Sequence, residues 1–362
     1  MTEGLRAVSL FAGCGGLDLG AVRAGLDVIW ATDIMPAAAD AYAQLFPDAE
    51  FDLANVRDVR AFPKAEVVLG GYPCQPFSLG GARRPADDMR ARLFREFARC
   101  VAVVSPLYFV AENVSGLCSL GARRWLDEQV SLFAELGRYG YRVTAATLQA
   151  ADYGLPQRRR RLFIVGVRGD LGLDYSFPPP THYRDPKPGQ KQWGSHGDAI
   201  AGLPIWPRGE FYELDDGEGR NWPWYYMSRN RKARWDDPSY TVLANARHVT
   251  LHPAGPSMRL VWSNLADGSK QRWEFTEEYE HTDGHPERLL LVRPRRLSWR
   301  ECSVLQGFPP VFEPLGRLAE KYEQVGNAVP PALSEAVIAP LVSGSGLVPV
   351  EEKATSEPRQ TR

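Results

Sequence analysis

The chain reads as an α/β protein: a doubly wound, Rossmann-like sheet with one antiparallel strand, beside a smaller loop-rich domain. Two observations predict this. In the first half, short apolar runs alternate with stretches of helical length, the pattern of parallel strands joined by crossover helices. After Pro178-Pro179-Pro180 that rhythm stops, and the chain becomes rich in Trp, Tyr, Pro, Gly and Arg with little periodicity.

Residues 7–11 form the first strand, which runs into the glycine turn Gly13, Gly15, Gly16 and then a helix over 17–24. A second strand over 27–32 ends at Asp33, ahead of a helix over 37–45. Val67-Val68-Leu69 is the heart of a buried strand over 66–70, ended at once by Gly70-Gly71 and Pro73. A helix over 91–104, a strand over 107–111 and a helix over 123–137 follow, then strands over 141–149 and 162–168. No helix separates that last pair, so one of them enters antiparallel. Regularity returns near Arg296, and a helix over 332–341 packs back on the first domain. The polar tail from Ser343 is expected to be disordered. The expected division is therefore 1–176 with 317–342, a second domain with its following hinge over 177–310, and a tail over 343–362.

Composition narrows the class. A 362-residue chain that is 44% hydrophobic can build a sizeable core. No window approaches the about 18 uninterrupted apolar residues of a membrane span, and the start resembles a strand rather than a signal peptide. The 5 cysteines are odd in number and include no C-x-x-C pair, which argues against disulfides and a zinc site and for a reducing cytoplasm. The net charge of −1 announces no polyanion partner, but its distribution does. Arg158 to Arg161 are contiguous; Arg229, Arg231, Lys232 and Arg234 lie among Trp and Tyr; Arg288, Arg293, Arg295, Arg296 and Arg300 follow without an intervening acid. Such stripes suit a local polyanion site, although charge runs are often plain solvated surface.

The residues that carry chemistry sit at strand ends. Cys74, between Pro73 and Pro76, directly follows the buried strand, and open α/β sheets place their chemistry there. A buried structural thiol is the competing reading. The turn Phe11 to Gly16 lets a ligand approach a helix N-terminus, with Asp33 placed to accept ribose hydroxyls. A compact adenosyl group suits it better than a pyrophosphate, because the G-x-G-x-x-G spacing is absent.

Taken in order, the motifs resemble those of the DNA (cytosine-5) methyltransferases of bacterial modification systems. They are Phe-Ala-Gly-x-Gly-Gly at 11–16, Pro-Cys-Gln-Pro-Phe-Ser at 73–78, Arg-x-Arg-Leu-Phe at 90–94, Glu-Asn-Val at 112–114 and Gln-x-Arg-x-Arg at 157–161. Arg-Leu-Ser-Trp-Arg-Glu at 296–301, Leu-Gln-Gly-Phe-Pro at 305–309 and Gly-Asn-Ala-Val-Pro-Pro at 326–331 complete the set. The likeness covers nearly the whole chain, and several short motifs in the right order are far more specific than any one.

The resemblance implies S-adenosyl-L-methionine as cofactor, contacted by Phe11, Gly13, Cys14, Gly16, Asp33, Ile34, Asn55, Val56, Pro73, Leu93, Asn327, Ala328 and Val329. Asn55 stands where the family has Asp; its amide oxygen can still accept from the adenine amino group. Tyr72 stands where Pro or Phe is common. The implied reaction has Cys74 attacking cytosine C6, Glu112 protonating or bonding N3, Arg161 contacting O2 and Arg159 bracing the thiol loop. Strand alternation puts Arg159 and Arg161 on one face, Arg158 and Arg160 on the other. Inside a duplex the base is out of reach, so it is flipped out, and a loop over 79–88 closes on it, with Ser78, Arg83 and Arg84 meeting DNA.

The resemblance further makes 177–294 the region that reads sequence. Parts of it are similar to the GGCC-reading branch, with Arg229, Arg231 and Arg247 as guanine readers. The stretch 262–285 looks like an addition. The implied partner is double-stranded DNA, bound by a monomer in the cytoplasm and nucleoid without a membrane, and a restriction endonuclease can share the site. The alternatives are a tRNA cytosine-5 methyltransferase of the same superfamily, a non-catalytic DNA-binding relative and a nicotinamide oxidoreductase.

Overall fold

The computed structural model describes residues 4–73, 92–119, 121–213, 222–265 and 268–350. The first half folds in the order β1 (Arg6–Leu10), α1 (Gly16–Arg23), β2 (Asp27–Asp33), α2 (Pro36–Leu45), β3 (Glu50–Leu53), β4 (Val67–Gly70). There follow α3 (Phe94–Val104), β5 (Tyr108–Val114), α4 (Arg123–Ala134), β6 (Tyr141–Gln149), β7 (Gln157–Arg158), β8 (Arg160–Arg168) and β9 (Leu173–Tyr175). The main sheet has 7 strands in the order β3-β2-β1-β4-β5-β8-β6. β8 runs antiparallel to both neighbours, and the pairings among β1 to β5 are parallel.

Both faces of this sheet are covered, which is why its strands read as continuous apolar runs. Val8, Leu10, Val68, Phe109 and Ala111 face α3 and α4, packing with Phe97, Val101, Leu126 and Phe133. The alternate residues Ala7, Val67, Leu69 and Val110 face α1 and the late helix α9, described below. Each fully buried side chain of this size is worth roughly 1.5–3 kcal/mol. β3 is an element the apolar pattern did not indicate: its EFDL sequence is half-exposed at the sheet edge, held by the ladder to β2 and by Phe51 against the Tyr42 ring of α2.

The second half supplies β10 (His182–Tyr183), β11 (Lys191–Gln192), α5 (His196–Ile200), α6 (Trp224–Met227), β12 (Ser239–Tyr240) and the hairpin β13 (Met258–Leu265) with β14 (Gly268–Phe275). It closes with α7 (Trp299–Gln306), α8 (Leu318–Asn327), α9 (Pro331–Ser343) and β15 (Leu347–Pro349). This loop-rich region nevertheless has a core. Ile200, Val242, Val249, Leu297, Trp299, Cys302 and Leu305 form a buried cluster of their own, and α8 adds Tyr322 and Val325 to it. So α8, grouped by sequence with the first domain, buries its apolar face in the second, while α9 packs on α1 and the sheet.

The tail expectation is corrected up to residue 350. Gly344, at φ 76, ends α9 and turns the chain back, and Leu347–Pro349 pairs antiparallel with β9. An unpaired edge strand is an available template for such an addition. Residues 351–362 lie outside the described residues. The stretch Leu318–Ser343 has the length and hydropathy of a membrane span. It is two helices broken before Pro330 and Pro331, with Tyr322, Val325, Leu333, Val337 and Ile338 fully buried in protein, and reads as core.

Candidate active site

The parallel strands end together, so Phe11, Asp33, Gly71 and Glu112 come to one end of the sheet from β1, β2, β4 and β5. β8 enters antiparallel at that end, which sets Arg161 opposite Val114 and within reach of Glu112. Arg161 Nε meets Glu112 Oε1 at 2.7 Å, with 14% and 10% of the two side chains exposed. Burial pushes the Glu112 carboxyl above its usual range, against the pull of Arg161 and Arg159. The other carboxylate oxygen lies 3.5 Å from where a Cβ on Gly71 would stand, directly before Tyr72 and Pro73. Cys74, Ser78, Arg83, Arg84 and the 79–88 loop lie outside the described residues.

The approach to Cys74 is held by side chains to which sequence reasoning assigned no part. Tyr72 OH donates to Gln129 Oε1 at 2.6 Å, and Asn113 Nδ2 donates to the Tyr72 carbonyl at 3.4 Å. The tyrosine that replaces Pro or Phe thus has a buried partner for its hydroxyl, which an apolar residue could not use.

The thiol loop that Arg159 was expected to brace lies outside the described residues; within them Arg159 has further partners. It is 0% exposed, and its guanidinium donates to the carbonyls of Val242 at 2.9 Å, Gly326 at 2.7 Å and Ala328 at 3.0 Å. Among the described residues these contacts tie the strand to both the second domain and the 326–331 motif. Gln157 works beside it, donating to Gln306 Oε1 at 2.7 Å and accepting from Val242 N at 2.9 Å. Gln306 in turn donates to the carbonyls of Val325 and Ala328. A Cβ on Gly326 would collide with the Ala244 backbone, so the glycine permits this close approach. The common parity of 157, 159 and 161 is the signal that groups these residues on one inward face; Arg160 is exposed, and Arg158 pairs with Asp237 at 3.0 Å.

At the other side of the same sheet end, Phe11 sits at φ 57, a left-handed conformation that costs a non-glycine residue energy and marks functional turns. Asp33 accepts from Gly13 N at 2.9 Å and Met35 N at 3.0 Å. Gly13 faces open space, and Ile34 is 68% exposed. Val329 lies beside both Gly16 and Gly71; Asn327 is exposed, and Ala328, Leu93 and Pro73 are half-buried. Val56 is buried. Asn55 already uses its Oδ1 to accept from Arg57 N at 3.1 Å, so its amide nitrogen is the unengaged end among the described residues. The Cys14 thiol is turned into the core against the Gln324 carbonyl and burial pushes it up to about 12, leaving its backbone as the part open to a ligand.

The basic stripes separate into structural and surface groups. Arg295 and Arg296 are buried. Arg295 binds Glu301 through two bonds of 2.8 and 2.7 Å, and Arg296 is boxed by the rings of Tyr212, Trp222 and Tyr226 at 5.3, 4.9 and 4.6 Å. Arg231 is half-buried, donating to the carbonyls of Tyr226 and His248, so it props the loop. Arg229 and Arg247 are exposed, the latter beside the Tyr212 ring.

Known proteins resemble this chain in sequence or in fold. The sequence profile of the C-5 cytosine-specific DNA methylase family matches residues 5–343. The type II methyltransferase M.BsuRI of Bacillus subtilis is 34% identical, over 94% of this chain and 80% of its own length. M.MthTI of Methanothermobacter thermautotrophicus, another type II methyltransferase, is 34% identical over 90% of this chain and 94% of its own. The crystal structure of the Dnmt2 methyltransferase of S. pombe matches at a TM-score of 0.60 with 16% identity, covering 94% and 99% of the two chains.

Proposed function

The chain belongs to the C-5 cytosine-specific DNA methylase family, and on that premise we propose a reaction for the site. A methyl group passes from S-adenosyl-L-methionine to C5 of a cytosine flipped out of a short duplex sequence. The observation that carries this reading is the buried Glu112–Arg161 pair beside Gly71, three residues before Cys74.

Cytosine C5 is a poor nucleophile until the ring is activated. The Cys74 thiolate adds to C6 and raises electron density at C5, and after methylation loss of the C5 proton to a base expels the thiolate again; cysteine is well suited to that covalent role. An ordinary thiol near pKa ~8.5 is little ionised at neutral pH, so its surroundings must assist. Glu112, favoured in its protonated form by burial, supplies a proton or hydrogen bond to N3 as the adduct forms. Arg161 holds Glu112 in place and extends its remaining donors toward O2.

Phe11, Gly13, Asp33 and Ile34 fit an adenosyl group: a strained turn with open space, a carboxylate for the ribose hydroxyls and an exposed apolar side chain for the adenine face. When bound, the cofactor supplies an electrophilic methyl. Asn55 meets the adenine with its amide nitrogen, which donates to a ring nitrogen.

Residues 177–310 act as the target-recognition domain, with Arg229 and Arg247 presented to guanines and Arg231 supporting them; GGCC is the proposed site. The type II methyltransferase relatives support a restriction-modification role; the chain acts as a cytoplasmic monomer, beside an endonuclease acting on the same site.

Bisulfite sequencing of DNA from a methylation-deficient host tests all of this. Expression of the chain is expected to convert cytosines at one short motif to 5-methylcytosine, and Cys74→Ala to abolish it. Methylation at a motif other than GGCC overturns the sequence assignment. Unmodified DNA from folded protein overturns the reaction, with tRNA the next substrate to assay.

A further inference from the structure

A cavity of about 250 Å³ opens where β7 meets the second domain, lined by Arg158, Lys232, Arg234, Asp237, Tyr240 and Glu280. Met258, the first residue of β13, also lines it, and Glu280 comes from the stretch 262–285 that looked like an addition.

Lys232 is the member without a counterpart. It is 6% exposed. Its backbone is pinned by a bridge to Leu251 and by donation to Asn230 Oδ1 at 2.9 Å. Its Nζ has no hydrogen-bond partner among the described residues. The neighbouring acids do not hydrogen-bond it: Asp237 pairs with Arg158 at 3.0 Å, and Glu280, 4.0 Å from Arg234, acts on Lys232 only through its charge. Three cations and two carboxylates leave one positive charge, and it falls on the most buried group. A buried ammonium is costly unless an acceptor reaches it, and burial holds this amine below the usual lysine range. An anion entering the cavity completes the site.

The surroundings select the anion. Asn230, which lines the cavity, directly follows the exposed Arg229, so the opening adjoins the surface assigned above to DNA. We propose that the cavity accepts a backbone phosphate of the substrate duplex, with Lys232 Nζ donating to a non-bridging oxygen and Arg158 and Arg234 flanking it. This rests on the duplex-DNA reading. It assigns Lys232 to holding the strand rather than to reading bases, since phosphate contacts position and base contacts specify.

The test is Lys232→Met in the full chain, which removes an uncompensated buried cation at similar volume and is expected to melt no lower than wild type. Binding to a duplex is followed across a salt series. The slope of log K against log salt is expected to become shallower by about 0.9, the share of one phosphate contact. Affinity at low salt is expected to fall about tenfold, as for one charge-assisted hydrogen bond. The loss should be equal on target and unrelated sequences, and Lys232→Arg should retain the slope. A folded Lys232→Met with the wild-type slope overturns the site. Should Lys232→Met not fold, methylphosphonate DNA on the wild-type chain reads the same contact, and the absence of any position whose neutralisation weakens binding overturns it. Inorganic phosphate that raises the melting temperature of wild type, but not of Lys232→Met, with an unchanged DNA slope would assign the cavity to a free anion and overturn the DNA source. A wild-type chain that binds no duplex overturns the DNA reading itself, which separates that failure from this one.

Discussion

Each of the two regions buries a glutamate against an arginine, and the surroundings separate their roles. In the sheet region Glu112 meets Arg161 through a 2.7 Å contact and keeps an oxygen turned toward the Gly71 turn. In the second region Glu301 accepts two bonds from Arg295 and a third from Ser298 N at 2.7 Å, with both side chains 1% exposed. Glu301 also closes the capping box that starts α7. The first carboxylate is incompletely satisfied and strained toward protonation, the mark of a group kept for chemistry. The second is saturated, the mark of a group that holds loops in place where little β-ladder does so. A buried ion pair is therefore read by what remains unbonded, not by its presence.

Glu112→Gln probes the first half of that contrast. It is expected to lower single-turnover methyl transfer by about 10²–10⁴-fold, with a loss of stability smaller than that of Glu301→Gln because the Arg161 side chain keeps 14% exposure. A fall in stability as large as the fall in rate would break the comparison. The pH dependence carries a sign. Because the folded carboxyl binds its proton more tightly than the ordinary 4.5, its contribution to stability is full below 4.5 and lost as pH rises through the raised value. The melting temperature of Glu112→Gln relative to wild type should therefore climb as pH rises through that window, and a flat difference would contradict the shift.

Glu301→Gln probes the other half. It strands the Arg295 charge in the core, at an expected loss of about 3–5 kcal/mol in urea unfolding, with transfer per folded molecule retained. A normal stability with lost activity would reverse the assignment. The smallest effect is expected at Tyr72→Phe, which leaves Gln129 Oε1 without its buried donor and should cost about 1–3 kcal/mol. It sharpens the comparison, because this residue lies next to the chemistry yet acts through the fold; a thermal melt equal to wild type would sink that role.

Much of the first region was legible because its signals are local. Val67-Val68-Leu69 is apolar on both faces since both faces are covered, and the missing helix between β6 and β8 announced the antiparallel entry. β3 was not legible, since an edge strand with a single apolar anchor, Phe51, owes most of its place to a neighbour's ladder. The second region was read as basic surface, and the chain alone could not say otherwise. An arginine looks the same in sequence whether solvated, like Arg229, or boxed by aromatic rings from distant segments, like Arg296.

The sequence by itself determined the sheet, the strand ends and the residue types gathered there, because hydrophobic period, turn chemistry and the order of short motifs are written along the chain. Only the tertiary structure decided that Arg159 spans two domains, that Arg295 binds Glu301 and Arg231 two loop carbonyls, that residues 347–349 return to β9 and that Lys232 Nζ lacks an acceptor among the described residues. The physical reason is common to all four. Charge and hydrogen-bond satisfaction depend on which groups meet across long sequence separations, and those meetings exist only once the cores have closed.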